Sequence, residues 1–224
     1  MSAYRLWNDG LGDHWASLNL LAQKSFVSGE RVAYHHPDRK VLDRALDILH
    51  MLDLPDRVRM EGQLVPESAQ SLDGFDVWAT PYFPTKHRWH LRWAQPFIAF
   101  HFDGVSSAAE KNPPPTEQTE ILRWAGRQGL GVIKLGSQMA LAEAVEHLSD
   151  CMLFVGCDSG FSHIAHSVGC PTYLLEYKLP IVTCHRHKSY VLCKGAAHFA
   201  TQADNWLGCM RRLGALPNLP LDAH

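Results

Sequence analysis

The first part of the chain alternates short apolar runs with amphipathic stretches. Trp15, Leu18, Leu21 and Ala22 recur every three or four residues, which predicts a helix that begins at Asp13. A second helix is predicted over 38–52, with Leu42, Ala45, Leu46 and Leu49 on one face. The strands predicted around these helices cover residues 3–7, 31–35, 58–60 and 77–79. Strands that alternate with helices are typical of a parallel sheet covered by helices.

Residues 80–96 interrupt this alternation with prolines, aromatic residues and basic residues, among them Tyr82, Phe83, Lys86, Trp89 and Trp93. We therefore place a domain boundary here, between an N-terminal domain of residues 1–90 and a C-terminal domain of residues 91–224. Two interpretations of the segment stay open at this point. It is either an extended surface for a second substrate or packing between the two domains.

The alternation then resumes more clearly in the second part of the chain. Residues 152–156 form a continuous apolar run, as expected for a buried central strand. The other predicted strands cover 96–102, 131–135 and 172–175, and a polar loop is predicted over 103–111. The predicted helices cover 116–128, 140–149, 161–168 and 200–213. The fold class predicted for the whole chain is α/β.

Composition and charge exclude several classes of protein. Of the 224 residues, 46% are hydrophobic and the formal net charge is −2, which argues for a packed core and against nucleic acid as a partner. The chain has no apolar run of about 18 residues and no signal-peptide pattern, so a cytoplasmic protein is predicted.

Cysteines and histidines are the candidate metal ligands, with six and 14 residues respectively. None of the cysteines forms a C-x-x-C pair, which predicts buried reduced thiols instead of a zinc or redox site. Histidine pairs occur at 35–36, 87/90, 163/166 and 185/187, but without a known ligand framework. No metal site and no cofactor are predicted.

The most informative segment follows the apolar run, where Asp158, Ser159 and Gly160 lead directly into a helix. Ligands of open α/β sheets bind at the carboxyl ends of strands, and a helix N-terminus there offers free N–H groups to a phosphate. Gly160 would let the backbone approach an anion, and Ser159 could donate to it. The alternative is that Asp158 or Ser159 only caps the helix.

Residues 156–171 resemble the D-[ST]-G-x-x-H-[IL]-A motif of the ADP-heptose:lipopolysaccharide heptosyltransferases, glycosyltransferase family 9. The resemblance implies a GT-B-like fold, in which two Rossmann-like domains face each other across a cleft, with a reduced N-terminal domain in this chain. It also implies that the motif binds the diphosphate of a nucleotide-sugar donor, with Asp158, Ser159, Gly160 and His163 as donor-site residues.

Two further segments match the family in the same order along the chain. The turn and helix start at 10–14 matches a family motif in which an aspartate is the general base, which makes Asp13 the catalytic candidate. Gly12 and His14 are acceptor-side candidates beside it. We expect the helix dipole to lower the pKa of Asp13 and keep it ionised. The candidates in the second domain's first loop are Ser106, Ser107 and Lys111, where the lysine would neutralise the leaving diphosphate.

The resulting hypothesis is a glycosyltransferase of carbohydrate biosynthesis, hexosyl- or heptosyltransferase-like, inverting and metal-independent. Its partners would be a nucleotide-diphosphate sugar and a glycan, lipid-linked or protein acceptor, through which it would lie peripheral to a membrane. Two alternatives remain: a non-catalytic GT-B-like module that binds a nucleotide sugar, and a nucleotide-sugar epimerase or hydrolase. The reduced first domain favours the binding module, whereas Asp13 beside a donor site favours the transferase.

Overall fold

The computed structural model describes residues 2–5, 10–54, 56–62, 65–72, 81–90, 95–105, 107–178 and 190–216. Two parallel sheets make up its α/β fold, one in each half of the chain. The first has the strand order β3-β2-β1-β4 and is accompanied by two helices. Its elements are β1 (Ala3–Arg5), α1 (Leu11–Ser28), β2 (Val32–His35), α2 (Arg39–Met51), β3 (Val58–Glu61) and β4 (Gln70–Ser71).

The second sheet has the order β6-β5-β7-β8-β9, again with all strands parallel. The order reverses between β5 and β7, and in doubly wound sheets ligands bind at such a point, beyond the carboxyl ends of the strands. The elements are β5 (Phe97–His101), α3 (Ala108–Lys111), α4 (Pro115–Arg127), β6 (Gly131–Lys134), α5 (Leu141–Asp150), β7 (Leu153–Gly156), α6 (Gly160–Val168), β8 (Thr172–Leu175), β9 (Val191–Cys193) and α7 (Ala196–Arg212).

Most predicted elements are present, with several corrections. Helix α1 begins at Leu11, so Asp13 lies inside its first turn, and the helix extends to Ser28 before Gly29 ends it in a left-handed conformation. Strands β4 and β9 and helix α3 were not predicted, because each has only two to four residues and no periodic pattern. Helix α7 begins at Ala196 instead of residue 200. The strand predicted at 77–79 and the end of the one predicted at 3–7 lie outside the described residues.

One hydrophobic core joins the two halves. Trp15 and Leu18 of α1 belong to the same buried cluster as Ile164 and Ala165 of α6. The indole nitrogen of Trp15 also donates to the hydroxyl of Ser167, at 2.8 Å. Because this apolar surface is shared, α1 and α6 fix the position of the two halves relative to each other. A second cluster, around Trp124 and Phe199, fills the other side of the second sheet.

The described part of the aromatic and basic stretch, residues 81–90, packs against both halves. The backbone N–H of Lys86 donates to Met51 of α2, while those of Thr85 and Trp89 donate to Ser167 and Val168 of α6. The indole nitrogen of Trp89 donates to the carbonyl of Cys151. Of the two interpretations of this stretch, these contacts favour packing between the halves.

The described residues contain neither a membrane-spanning helix nor a cluster of metal ligands. None of their helices combines the length and apolarity that crossing a bilayer requires. Nor do they contain a group of three or more His, Cys, Asp or Glu side chains placed to hold a metal ion. Cys151, Cys157, Cys170 and Cys193 are buried free thiols, and Cys209 is exposed.

Candidate active site

The N-termini of α1 and α6 lie against each other where the two halves meet. A Cβ atom on Gly12 would lie 2.7 Å from Cδ2 of His163, and one on Gly160 would lie 2.7 Å from Cβ of Leu11. Glycine at both positions is therefore what allows the two helix starts to approach. Both helix dipoles direct their positive ends to this region, which favours an anion.

Lys111 and Asp158 form an ion pair at the point where the second sheet reverses its strand order. Lys111 ends α3 beyond β5, Asp158 follows β7, and Nζ lies 2.9 Å from Oδ2. Their side chains are only 14% and 7% exposed. A pair removed from water to this extent depends on both partners, because either charge left alone would be poorly solvated.

The loop that carries Lys111 is closed by Asn112. Its side-chain oxygen accepts from the backbone N–H of Gly104 at 2.8 Å, and its side-chain nitrogen donates to the Gly104 carbonyl at 3.1 Å. These two bonds hold Gly104 against Asn112, beside Cys157, which follows β7. Sequence reasoning did not predict this role of Asn112, since the pairing of one asparagine with one backbone position leaves no recognisable pattern.

Asp13 lies partly buried in the first turn of α1, in the electrostatic field of the Lys111–Asp158 pair. Burial raises its pKa above the ordinary value of 3.8, and the negative charge of Asp158 raises it further, while Lys111 and a backbone hydrogen bond act in the opposite direction. The expectation that the helix dipole would lower this pKa is wrong, because the loss of hydration outweighs the favourable terms. A raised pKa makes a carboxylate a stronger proton acceptor.

His163 contacts both halves of the protein. Its side chain is 3% exposed, with Nε2 lying 3.7 Å from Oδ1 of Asp158. Its other ring nitrogen, Nδ1, lies 2.8 Å from the hydroxyl of Tyr82. Tyr82 was noted in the sequence only as part of the aromatic stretch, because a contact 81 positions along the chain has no local signal.

Ser159 precedes α6 in an extended conformation and pairs with Ser162 in a capping-box arrangement. The backbone N–H of Ser159 donates to the hydroxyl of Ser162 at 3.2 Å. The hydroxyl oxygen of Ser159 is buried opposite the backbone N–H of Ser162 in this capping box, and its own O–H has no acceptor among the described residues. A buried O–H without an acceptor is costly, so this group is suited to a ligand that accepts its hydrogen bond.

The other candidates predicted from the sequence lie in different surroundings. Ser106 lies outside the described residues, whereas Ser107 is exposed and has a left-handed backbone with φ of 54°. His14 is fully buried, and its Nδ1 lies 3.0 Å from the hydroxyl of Tyr34 in the first half. The structure thus brings together Gly12, Asp13, Lys111, Asp158, Ser159, Gly160 and His163.

Residues 108–175 match the model of "Glycosyltransferase family 9 (heptosyltransferase)". This segment begins at α3 and ends with β8, so it contains Lys111, the Asp158–Gly160 turn and His163. Over this segment the chain is similar to glycosyltransferase family 9. The family match covers less than a third of its length, and no curated protein sequence matches the chain.

Solved structures with a GT-B fold are similar to this chain. The iron-containing dodecameric glycosyltransferase TibC of enterotoxigenic E. coli H10407 is 13% identical with a TM-score of 0.59, and the similarity covers 78% of this chain and 59% of TibC. The E. coli ADP-heptose LPS heptosyltransferase II is 12% identical with a TM-score of 0.55, over 94% of this chain and 100% of that one. The E. coli heptosyltransferase WaaC with ADP is 9% identical with a TM-score of 0.51, over 93% and 99%.

Proposed function

We propose that this chain is a glycosyltransferase that transfers a sugar from a nucleotide-diphosphate donor to an acceptor hydroxyl. The observation that carries the proposal is the position of Asp13 in the field of the Lys111–Asp158 pair, where the N-termini of α1 and α6 meet. A proton acceptor and an anion site from opposite halves of the chain are what such a transfer needs. The acceptor would bind to an N-terminal domain of residues 1–90 and the donor mainly to a C-terminal domain of residues 91–224.

The donor diphosphate would lie at the N-terminus of α6. The buried hydroxyl of Ser159 would donate to a phosphate oxygen, together with the first N–H groups of the helix. Gly160 would contribute its backbone N–H, and Ser106 and Ser107 would contribute hydroxyls from the loop after β5. Lys111 lies ready at this edge because Asp158 holds its ammonium group in place.

The reaction follows from these positions. Asp13 takes the proton of the acceptor hydroxyl, and the oxygen then attacks the anomeric carbon as the bond to the diphosphate breaks. Lys111 and the helix N–H groups stabilise the charge that develops on the leaving diphosphate. Attack from the face opposite the leaving group inverts the anomeric carbon, and a lysine in this role takes the place of a divalent cation. Gly12 and His14 would lie on the acceptor side.

ADP and ADP-heptose are the first donor probes to use, because WaaC and TibC have been solved with ADP and with ADP-D-β-D-heptose respectively. The chain spans 59% of the length of TibC. We therefore include donors with a sugar other than heptose, and several classes of acceptor, in the proposal. A glycan, a lipid-linked sugar or a protein would supply the acceptor hydroxyl. We place the protein in the cytoplasm, in contact with membranes through a lipid-linked acceptor.

The reduced first half supports a second candidate, a module that binds the nucleotide sugar without turnover. Its described sheet has four strands, one of only two residues. Both candidates need the donor site, whereas only the transferase needs a base at Asp13. The Asp13→Asn variant therefore separates them.

The experiment compares wild type, Asp13→Asn and Asp47→Asn, the last an exposed aspartate on α2 that serves as a matched control. Transfer from ADP-heptose and from other nucleotide sugars is measured over a panel of acceptors, and ADP affinity is measured by calorimetry. We expect Asp13→Asn to lower turnover roughly 10²–10⁴-fold with ADP affinity nearly unchanged. Equal turnover in wild type and Asp13→Asn would remove Asp13 from catalysis. ADP binding without turnover in wild type would favour the binding module.

A further inference from the structure

Tyr82 connects the two halves through its backbone and its side chain. The carbonyl of Pro81 accepts from Nε2 of Gln23 at 2.9 Å, and the backbone N–H of Phe83 donates to Oδ1 of Asn19. Both partners lie on α1, so the backbone on each side of Tyr82 is attached to the first half. The Tyr82 hydroxyl reaches His163 on α6 of the second half.

The neighbours of His163 determine which of its nitrogens carries the proton. A neutral imidazole has one N–H donor and one acceptor nitrogen. Nε2 faces the Asp158 carboxylate at 3.7 Å, which accepts hydrogen bonds but cannot donate when ionised. Nδ1 faces the Tyr82 hydroxyl at 2.8 Å, which can donate to it. These two neighbours favour the tautomer with the proton on Nε2: the carboxylate attracts that N–H electrostatically across 3.7 Å, and the hydroxyl, which can donate or accept, donates to Nδ1.

The opposite tautomer would direct the lone pair of Nε2 at a negative carboxylate. A doubly protonated ring would add a second cation beside Asp158, whose charge Lys111 already balances at 2.9 Å. Because His163 is almost completely buried, an additional charge there is poorly hydrated. The charged and titratable groups near this ring include Asp158, Tyr82 and, through Asp158, Lys111.

We propose that Tyr82 is a positioning residue: its hydroxyl donates to Nδ1 of His163 and favours the proton on Nε2, so that an N–H is directed toward Oδ1 of Asp158 at 3.7 Å while Oδ2 holds Lys111. The ring of His163 also lies against Gly12 at the start of α1. Tyr82 thereby couples the packing of the two halves to the orientation of Lys111. The tautomer assignment stands on the geometry alone, whereas its effect on nucleotide binding rests on the proposed function.

The assignment is tested first on the unmodified protein, by measuring the ¹⁵N chemical shifts of the His163 ring. We expect a protonated Nε2 and an unprotonated Nδ1 at neutral pH. In Tyr82→Phe the hydroxyl is lost, and we expect Nδ1–H and Nε2–H forms to become mixed. Tyr177→Phe is the matched control, because it removes a hydroxyl that donates to Glu117 at 2.7 Å, away from His163. A wild-type ring protonated on Nδ1, or on both nitrogens, would overturn the proposal.

The second readout is ADP affinity. Loss of one orienting hydrogen bond is expected to weaken ADP binding roughly three- to tenfold in Tyr82→Phe and to leave Tyr177→Phe unchanged. His163→Gln retains an N–H donor for Asp158 but has no Nδ1, so adding Tyr82→Phe to it should have no further effect. An equal loss in both backgrounds, or an unchanged tautomer in Tyr82→Phe, would contradict the positioning role. If wild type does not bind ADP, the proposed function fails while the ¹⁵N measurement still decides the tautomer.

Discussion

Gly160 and Leu11 lie so close together that a Cβ atom on Gly160 would come within 2.7 Å of Cβ of Leu11. This contact joins the first turn of α6 to the first turn of α1. The shared hydrophobic core and the hydrogen bond between Trp15 and Ser167 stabilise the same packing of α1 against α6. The place where the diphosphate is proposed to bind is thus also the place where the two halves are held together.

Gly160→Ala is expected to lower the free energy of unfolding by about 1–3 kcal/mol, because the added methyl group has no space beside Leu11. ADP affinity should fall as well, since the start of α6 must move. Gly126→Ala in α4 is the control: its methyl group would meet nothing within 4 Å, and alanine favours a helix by about 0.5–1 kcal/mol. Chemical denaturation measures the free energy of unfolding of both variants. A Gly160→Ala protein as stable as Gly126→Ala would show that the helix starts are not closely packed.

The Lys111–Asp158 pair predicts a double-mutant pattern. Lys111→Met or Asp158→Asn alone should each cost about 3 kcal/mol of stability, because one charge stays behind without its partner, whereas the double variant should cost less than the two losses combined.

ADP binding distinguishes the two members of that pair. Lys111→Met should lose affinity with or without Asp158→Asn, while Asp158→Asn alone should lose less, roughly three- to tenfold, because the lysine remains but its ammonium group is no longer held in place. The exposed pair Lys134–Asp103 provides a control that should cost under about 1 kcal/mol when broken. Full ADP affinity in Lys111→Met would remove this lysine from the donor site.

The raised pKa of Asp13 predicts opposite effects on activity and stability. A base must be ionised, so turnover should fall as the pH decreases through this pKa, which lies above the ordinary 3.8. Because the folded state binds the proton more tightly than the unfolded state, the free energy of unfolding decreases as the pH rises from about 3.8 through the folded-state pKa.

Asp13→Asn removes this titration, so the variant should be at least as stable as wild type at neutral pH while being nearly inactive. Denaturation curves at several pH values test the stability, with Asp47→Asn as the control. A variant clearly less stable than wild type at neutral pH would mean that the ionised carboxylate stabilises the fold.

Neutralisation of the diphosphate by Lys111 predicts independence from divalent metal ions. EDTA should therefore leave both ADP affinity and sugar transfer unchanged, as measured by calorimetry and by the transfer assay. Loss of either with EDTA and recovery with Mg²⁺ would show that a cation takes part in donor binding.

The sequence by itself determined the parts whose signals are local. The apolar run at 152–156 followed by Asp158, Ser159 and Gly160 predicted a buried strand that leads directly into a helix, and both are present as β7 and α6. The periodicity of Trp15, Leu18 and Leu21 likewise predicted α1, because helix burial repeats over a few residues.

Only the tertiary structure decided what depends on long-range contacts. The two-residue strand β4 exists because it pairs with β1, which no local pattern encodes. The helix dipole, a local property, predicted a lowered pKa for Asp13, whereas burial between the two halves raises it. The partnership of Tyr82 with His163 likewise arises only when 81–90 packs between α1 and α6. Hydration and electrostatic energies depend on every neighbouring atom, including those distant in sequence, so only the assembled fold could determine them.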